Sequence, residues 1–365
     1  MMDGYTYSSV DYVLLHFSLI EGVGPGTVEK IVSGVAPEEL ANLYDWETAD
    51  FRALGYSQET AKVLVEGLAN KQILEYECSL LAKHGLFFVS LLSPFYPALL
   101  RDIHLPPLVL YVYGVPVWHQ KETIAFVGSR KANTYGKQAV TVVVPELVHQ
   151  GWVTVSGGAY GIDAAVHSVT IEVGGATIAV LGSGLLKPYP ADHKKLFDKI
   201  VATGGAVVSS FSLETAPHPG NFPSRNRIIS GMSKGTVVVQ AAEKSGALIT
   251  ARYALEQGRS VFAIPGSITD SLSKGCHTLL QNGARLVVDP QDIMDEYGVT
   301  QQRQMTLLPL AQEATDLIAR LYEPKSLDEL LQETGFSEAA LTHHLFELQL
   351  NGYIEQNFVG LWQRA

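Results

Sequence analysis

Between residues 123 and 288, short apolar runs alternate with longer segments in which apolar positions recur every three to four residues. The runs Ile124–Val127, Val153–Val155, Thr177–Leu181, Val207–Ser209, Thr236–Val239, Val261–Ile264 and Arg285–Val288 have the length and β-rich character of buried strands. Helical patterns at Thr134–Gln150, Ile162–Val173, Asp192–Ala202, Asn226–Ser233, Leu248–Gln257 and Thr278–Asn282 fall between or beside them. Such alternation predicts an α/β fold: an extended Rossmann-like, doubly wound parallel sheet with helices on both faces. Ligands of such sheets bind at the carboxyl ends of the strands.

The flanks follow other rhythms. Up to about residue 70 the pattern is helical, with segments at Tyr12–Phe17, Thr27–Ser33 and Glu59–Leu68. The turn Glu21-Gly22-Val23-Gly24-Pro25-Gly26 leaves backbone N–H groups free at a helix start, as in helix-hairpin-helix or SAM-like domains that grip DNA phosphates. Residues 86–118 form a proline-rich bridge with strand-like runs at Leu86–Leu92 and Leu108–Tyr113 and a short helix at Pro97–Leu100. After Gly298, the polar Gln301–Gln304 reads as a linker. Three helices, Gln312–Tyr322, Leu327–Glu333 and Glu338–Asn351, then precede a β-wing at Gly352–Glu355 and Val359–Trp362, the order of a winged-helix domain. The expected domains are 1–75, helical; 76–298, Rossmann-like; and 305–365, winged-helix-like.

Composition narrows the class. With 47% hydrophobic and 17% charged residues, the 365-residue chain is too apolar to be disordered. Cys78 and Cys276 are too few and too far apart for a disulfide framework or a CxxC metal site. The first residues lack a basic region of the signal-peptide kind, and no apolar run approaches the roughly 18–20 residues of a membrane helix. A soluble, cytoplasmic protein with no membrane partner is expected. The net charge of −11 argues against nucleic acid until it is divided along the chain. Residues 1–120 hold 6 basic and 14 acidic residues, and residues 305–365 hold 3 and 9, whereas residues 121–298 hold 16 and 14. The middle section is therefore the relatively basic one, and phosphate binding follows local potential.

That section also concentrates polar clusters after its strands. They are Gly128-Ser129-Arg130, Ser156–Asp163 with Gly157, Gly158 and Gly161, Gly182–Gly184 leading to Lys187-Pro188-Tyr189-Pro190, Asn221–Arg227, and Lys244–Thr250. Glycines let backbone approach a ligand, and helix N-termini favour phosphate. Arg130, Lys187, Arg225, Arg227 and Lys244 are thus expected to converge on one rim. Dinucleotide binding is weakly supported, because no G-x-G-x-x-G follows the first strand and no acid closes the second strand–helix unit; a P-loop is absent. Asp163, His167, Asp192, His193 and His218 form no metal spacing, so no metal, cofactor or catalytic residue is expected.

The set Gly128-Ser129-Arg130, Ser156–Asp163, Phe222–Ser233, Ser245–Ala251 and Gly258–Gly266 resembles the DNA-processing protein A family (DprA, also called Smf), as does the bridge Tyr96-Pro97, Ile103, Pro106-Pro107, Leu110-Tyr111 and Gly114. The resemblance covers about residues 90–290. It implies binding of single-stranded DNA, loading of the RecA recombinase onto it during natural transformation, a homodimer formed through the Rossmann-like domain, and no catalytic turnover. Its implied DNA contacts are Arg130, Lys187, Arg225 and Arg227, and the neighbouring site residues are Gly128, Ser129, Gly157, Gly158, Gly161, Phe222, Asn226 and Lys244. Dimerisation is expected at Leu279, Leu280 and Val287. One departure is Gly275-Cys276-His277, where the family usually has Gly-Thr-Asn.

Phe222 and Tyr189 are candidates for stacking on bases, with core packing as the alternative. The competing function is an enzyme acting on a nucleoside phosphate, like the phosphoribohydrolases of related folds, whose Pro-Gly-Gly-x-Gly-Thr motif and catalytic glutamate are missing here. The candidate recognition helix Glu338–Asn351 contains no Lys or Arg, so the last domain is expected to contact protein.

Overall fold

Every residue of Thr123–Val127 and of Thr177–Leu181 is buried, as strands covered on both faces must be. The computed structural model describes residues 6–299, 312–350, 353–357 and 360–364, and divides after Val299 into two units. The strands of the first unit are β1 (Phe87–Ser90), β2 (Val109–Gly114), β3 (Thr123–Val127), β4 (Val153–Ser156), β5 (Thr177–Leu181), β6 (Ala206–Ser209), β7 (Gly235–Val238), β8 (Ser260–Ala263) and β9 (Arg285–Leu286). They form one sheet in the order β1-β2-β6-β5-β4-β3-β7-β8-β9. From β6 to β9 all neighbours are parallel, while β2 pairs antiparallel with β6 and β1 antiparallel with β2. The proline-rich bridge therefore belongs to the same sheet.

The helices are α1 (Ser9–Leu19), α2 (Pro25–Gly34), α3 (Thr48–Ala53), α4 (Gln58–Ala69), α5 (Lys71–His84), α6 (Ala98–Arg101), α7 (Thr134–His149), α8 (Ile162–Glu172), α9 (Lys194–Ala202), α10 (Asn221–Gly231), α11 (Gly246–Glu256), α12 (Lys274–Gln281) and α13 (Gln291–Glu296). Side chains alternate across the sheet with the two-residue period of a strand. Ala125 and Val127 pack with Ile228 and Ile229 of α10 and Ala251 of α11. Ile124 and Phe126 pack with Val144 of α7 and Val166 of α8 on the opposite face.

The chain winds outward from β3 through β4, β5 and β6, then returns past β3 to β7, β8 and β9. The reversal beside β3 opens a crevice at the carboxyl ends of β3 and β7, the switch point where doubly wound sheets bind ligands.

Several expectations shift. The boundary expected between residues 75 and 76 falls inside α5, and Leu80 and Leu81 of that helix share a core with Phe17, Phe51, Phe88 and Tyr111. The helical N-terminal region and the bridge strands are thus one packed body. The helix expected from Asn226 begins at Asn221, so the whole polar segment Asn221–Arg227 lies in α10; Pro223 sits in its first turn, where no intrahelical donor is lost. The strand expected at Arg285–Val288 is only two residues long.

The second unit contains α14 (Gln312–Arg320), α15 (Leu327–Thr334), α16 (Glu338–Leu350) and an antiparallel hairpin of β10 (Ile354–Gln356) and β11 (Trp362–Arg364). Leu317, Leu330, Leu341, Leu345 and Ile354 form its core. The expected linker Gln301–Gln304, and the residues Asn351, Gly352 and Val359 of the expected helix end and wing, lie outside the described residues. No described helix is long and apolar enough to cross a membrane.

Candidate functional site

The crevice at the switch point is a cavity of about 480 Å³ lined by Gly128, Ser129 and Arg130 after β3, Asp163 of α8, Phe222 and Asn226 of α10, and the start of α11. Its first wall is held rigidly. The Ser129 N–H donates to the Gln240 carbonyl at 2.8 Å, joining the loops that follow β3 and β7. The Ile162 N–H donates to the Ser129 carbonyl at 3.2 Å, tying in α8. Gly161, at φ +78°, permits this contact: a Cβ there would lie 2.2 Å from the Ser129 carbonyl oxygen. Arg130 is left exposed, with its guanidinium 5.2 Å from the centre of the Phe222 ring.

The two other arginines of the expected cluster do different work. Arg225 is only 4% exposed and donates to the carbonyls of Gly157 and Val180. Burial lowers its pKa to about 10, against the opposing pull of Asp163, so it remains a cation at neutral pH. Asp163, in the first turn of α8, is itself buried; burial raises its pKa, while Arg225 and the Ala159 N–H, donating at 3.2 Å, favour the carboxylate. Arg225 and Asp163 therefore lock the loop after β4 to α10 and β5. Arg225 borders the inner wall of the crevice, but its guanidinium is spent on internal carbonyls. Arg227 is likewise engaged, donating to the carbonyls of His104, at 2.8 Å, and Leu105. These carbonyls belong to the bridge, away from the crevice, and Leu105 holds a left-handed φ of +52°.

The glycines of the second loop also serve the protein. A Cβ on Gly157 would meet Asp163 and Arg225, one on Gly158 would meet Phe197, and one on Gly128 would meet Ile162. Their missing side chains let elements close on one another. Asn226 is half-buried: its amide donates to the Gly246 carbonyl at 3.4 Å, and its Oδ1 accepts from Arg225 Nε at 3.1 Å. Lys244 is exposed on the loop whose neighbours Ala242 and Ser245 line the crevice.

Lys187 is exposed, but in a different cavity. It lies at a cleft of about 960 Å³ with Tyr189, Lys194, Phe197, Asp198 and Glu214. The expected single rim is thus two hollows. They meet at one aromatic pair, since Tyr189 of the cleft and Phe222 of the crevice have ring centres 5.6 Å apart. Sequence reasoning missed Tyr160 as an exposed ring beside this rim, with its hydroxyl donating to Asp192 at 2.6 Å. Its place in a glycine-rich loop after a strand was the available signal.

At the far edge, Leu279 and Leu280 are half-buried against the core on one face of the sheet, and Val287 is 1% exposed within the core on the other. Val287 therefore cannot offer its side chain to a partner. Its neighbours face outward, as strand alternation requires, with Leu286 49% and Val288 72% exposed. In the departing segment Gly275-Cys276-His277, Cys276 is buried, its thiol pKa pushed up to about 11, and His277 Nε2 lies 3.0 Å from the Gly266 carbonyl. No group of three His, Cys, Asp or Glu residues among the described residues is placed to hold a metal.

With this geometry in place, comparison with known proteins is informative. Residues 87–298 match the model of the family described as DNA recombination-mediator protein A. The chain is 42% identical over 215 residues to the DNA processing protein DprA of Bacillus subtilis (strain 168), covering 59% of this chain and 72% of that protein. It resembles the X-ray structure of DprA from Streptococcus pneumoniae with a TM-score of 0.68 at 34% identity, covering 80% of this chain and 99% of that one. It also resembles a structure of DNA processing protein A from Helicobacter pylori, described as giving insight into a single-stranded DNA binding mode. There the TM-score is 0.52 at 27% identity, covering 57% of this chain and 95% of that one.

Proposed function

This chain belongs to the DNA recombination-mediator protein A family, and we propose on that basis that it binds single-stranded DNA along the carboxyl edge of its sheet. The observation that carries this reading is Arg130, an exposed cation stacked beside Phe222 at the mouth of the switch-point crevice. A guanidinium neutralises phosphate, and an adjacent ring offers a face to a base, a pairing suited to a strand whose bases are free. Lys187 and Lys244 add exposed positive charge nearby. Following the family resemblance, the bound strand is handed to the RecA recombinase during natural transformation and recombination, without catalytic turnover, in the cytoplasm.

The test is direct. In fluorescence anisotropy at moderate salt, the protein should bind a single-stranded oligonucleotide at least about tenfold more tightly than its duplex, whose bases are stacked away from rings. Nucleotides should not be hydrolysed in the same solutions. Equal affinity for both DNA forms, or turnover of a nucleoside phosphate, would favour the phosphoribohydrolase-like alternative.

The family resemblance also supports a homodimer, for which the β9 edge is the best candidate surface. Leu286 and Val288 leave exposed apolar side chains there. Leu286→Glu should yield a monomer by light scattering with an unchanged fold by circular dichroism. A variant that remains a dimer would move the interface elsewhere.

A further inference from the structure

The cleft beside the crevice is the larger of the two, about 960 Å³ against 480 Å³. Its floor is the small core of Leu181, Phe197 and Val207, and its walls come from the loop between β5 and α9 and from the segment that follows β6. Charge is distributed unevenly around it. Lys187 and Lys194 stand on the loop and at the start of α9. Asp198 and Glu214 also line it, and each carboxylate is held by a tyrosine: Tyr113 donates to Asp198 at 3.4 Å, and Tyr76 donates to Glu214 at 2.9 Å.

The geometry points to a second nucleotide-binding subsite in this cleft, taking further nucleotides of the same single strand that lies in the crevice. Continuity is provided by the Tyr189–Phe222 pair, one ring belonging to each hollow. A strand leaving Arg130 meets Phe222, then Tyr189, then the two lysines. Lys194 becomes a phosphate contact that no sequence motif indicated. The fixed carboxylates repel phosphate and accept hydrogen bonds from base N–H groups, so the bases turn inward over the apolar floor while the backbone stays at the lysines. The volume, about 960 Å³, is ample for this, because whole small-molecule sites occupy roughly 300–1,000 Å³.

This inference rests on the single-strand reading above, and the experiment separates the two. Lys194→Glu reverses one charge at an exposed position, and Ala191→Trp places a bulky ring at an exposed position on the cleft wall. Both should be compared with wild type and Arg130→Ala on oligothymidylates of about 4 and about 16 nucleotides, lengths that bracket ordinary single-strand sites. The two cleft variants should lose about tenfold in affinity for the longer strand and bind the shorter one as wild type does, whereas Arg130→Ala should weaken both. Wild-type affinity of the cleft variants at both lengths, with Arg130→Ala weakened, overturns the subsite and leaves the crevice reading intact. An equal loss at both lengths also overturns it, because a general change in potential would act that way. Thermal melting of each variant confirms that the fold is retained.

Discussion

Arg225→Ala should destabilise the first unit by roughly 2–5 kcal/mol, because each buried acceptor left without its donor costs about 1–3 kcal/mol. The loss has two sources. Gly157 and Val180 keep buried carbonyls without their donor, and Asp163 remains in the interior without the cation that favours its charged form. Urea unfolding followed by circular dichroism measures the effect. Adding Asp163→Asn to Arg225→Ala should restore part of the loss, because the stranded charge is then gone and the two sites are coupled. If Arg225→Ala melted like the wild type yet failed to bind DNA, the arginine would be a ligand contact and its place as an internal strut would be wrong.

Arg130→Ala should do the opposite. It should leave the melting temperature unchanged, because the side chain is exposed and has Phe222 as its ring contact. It should weaken single-stranded DNA binding by about tenfold, and the slope of log affinity against log salt should fall by about 0.7, the counterion release of one phosphate contact on a single strand. Arg130→Lys should retain the salt slope and lose affinity, since an ammonium keeps the charge without the planar face that stacks. An unchanged slope in Arg130→Ala would remove this residue from the phosphate path. The two alanine variants thus sort two arginines drawn from neighbouring motifs, one acting on stability and the other on binding.

The contrast shows where the sequence is informative. The alternating apolar runs place the parallel strands to within one or two residues, because a strand covered on both faces is apolar along nearly all its length, as Ile178–Leu181 is. The glycine-rich strand ends mark the switch-point edge, and Arg130 stands there as expected. What local pattern cannot carry is the direction in which a side chain points within a helix. Arg225, Asn226 and Arg227 are consecutive, and on α10 they diverge by about 100° each, to β5, to α11 and to the bridge. With the helix expected to start at Asn226, the sequence sends both arginines to one rim. The boundary near residue 75 was hidden for a related reason. Only the folded chain brings Leu80 and Leu81 of α5 against Phe88 and Tyr111 in one core.

The position of β3 in the interior of the nine-stranded sheet bears on local opening. Native proteins exchange their amide hydrogens through partial unfolding that begins at edges and ends in the most enclosed strands. β3 has β4 on one side and β7 on the other, and its following loop is pinned through Ser129 to Gln240. The amides beneath Arg130 are therefore among the last to exchange, and the crevice persists through fluctuations that fray the two-residue β9. The cleft beside Lys187 is built partly from β2, paired antiparallel near the sheet margin, and from α9. Its walls should therefore open more readily than the crevice does, so the DNA strand proposed above would be anchored on a rigid seat at one end while the surface at the other end adjusts to it.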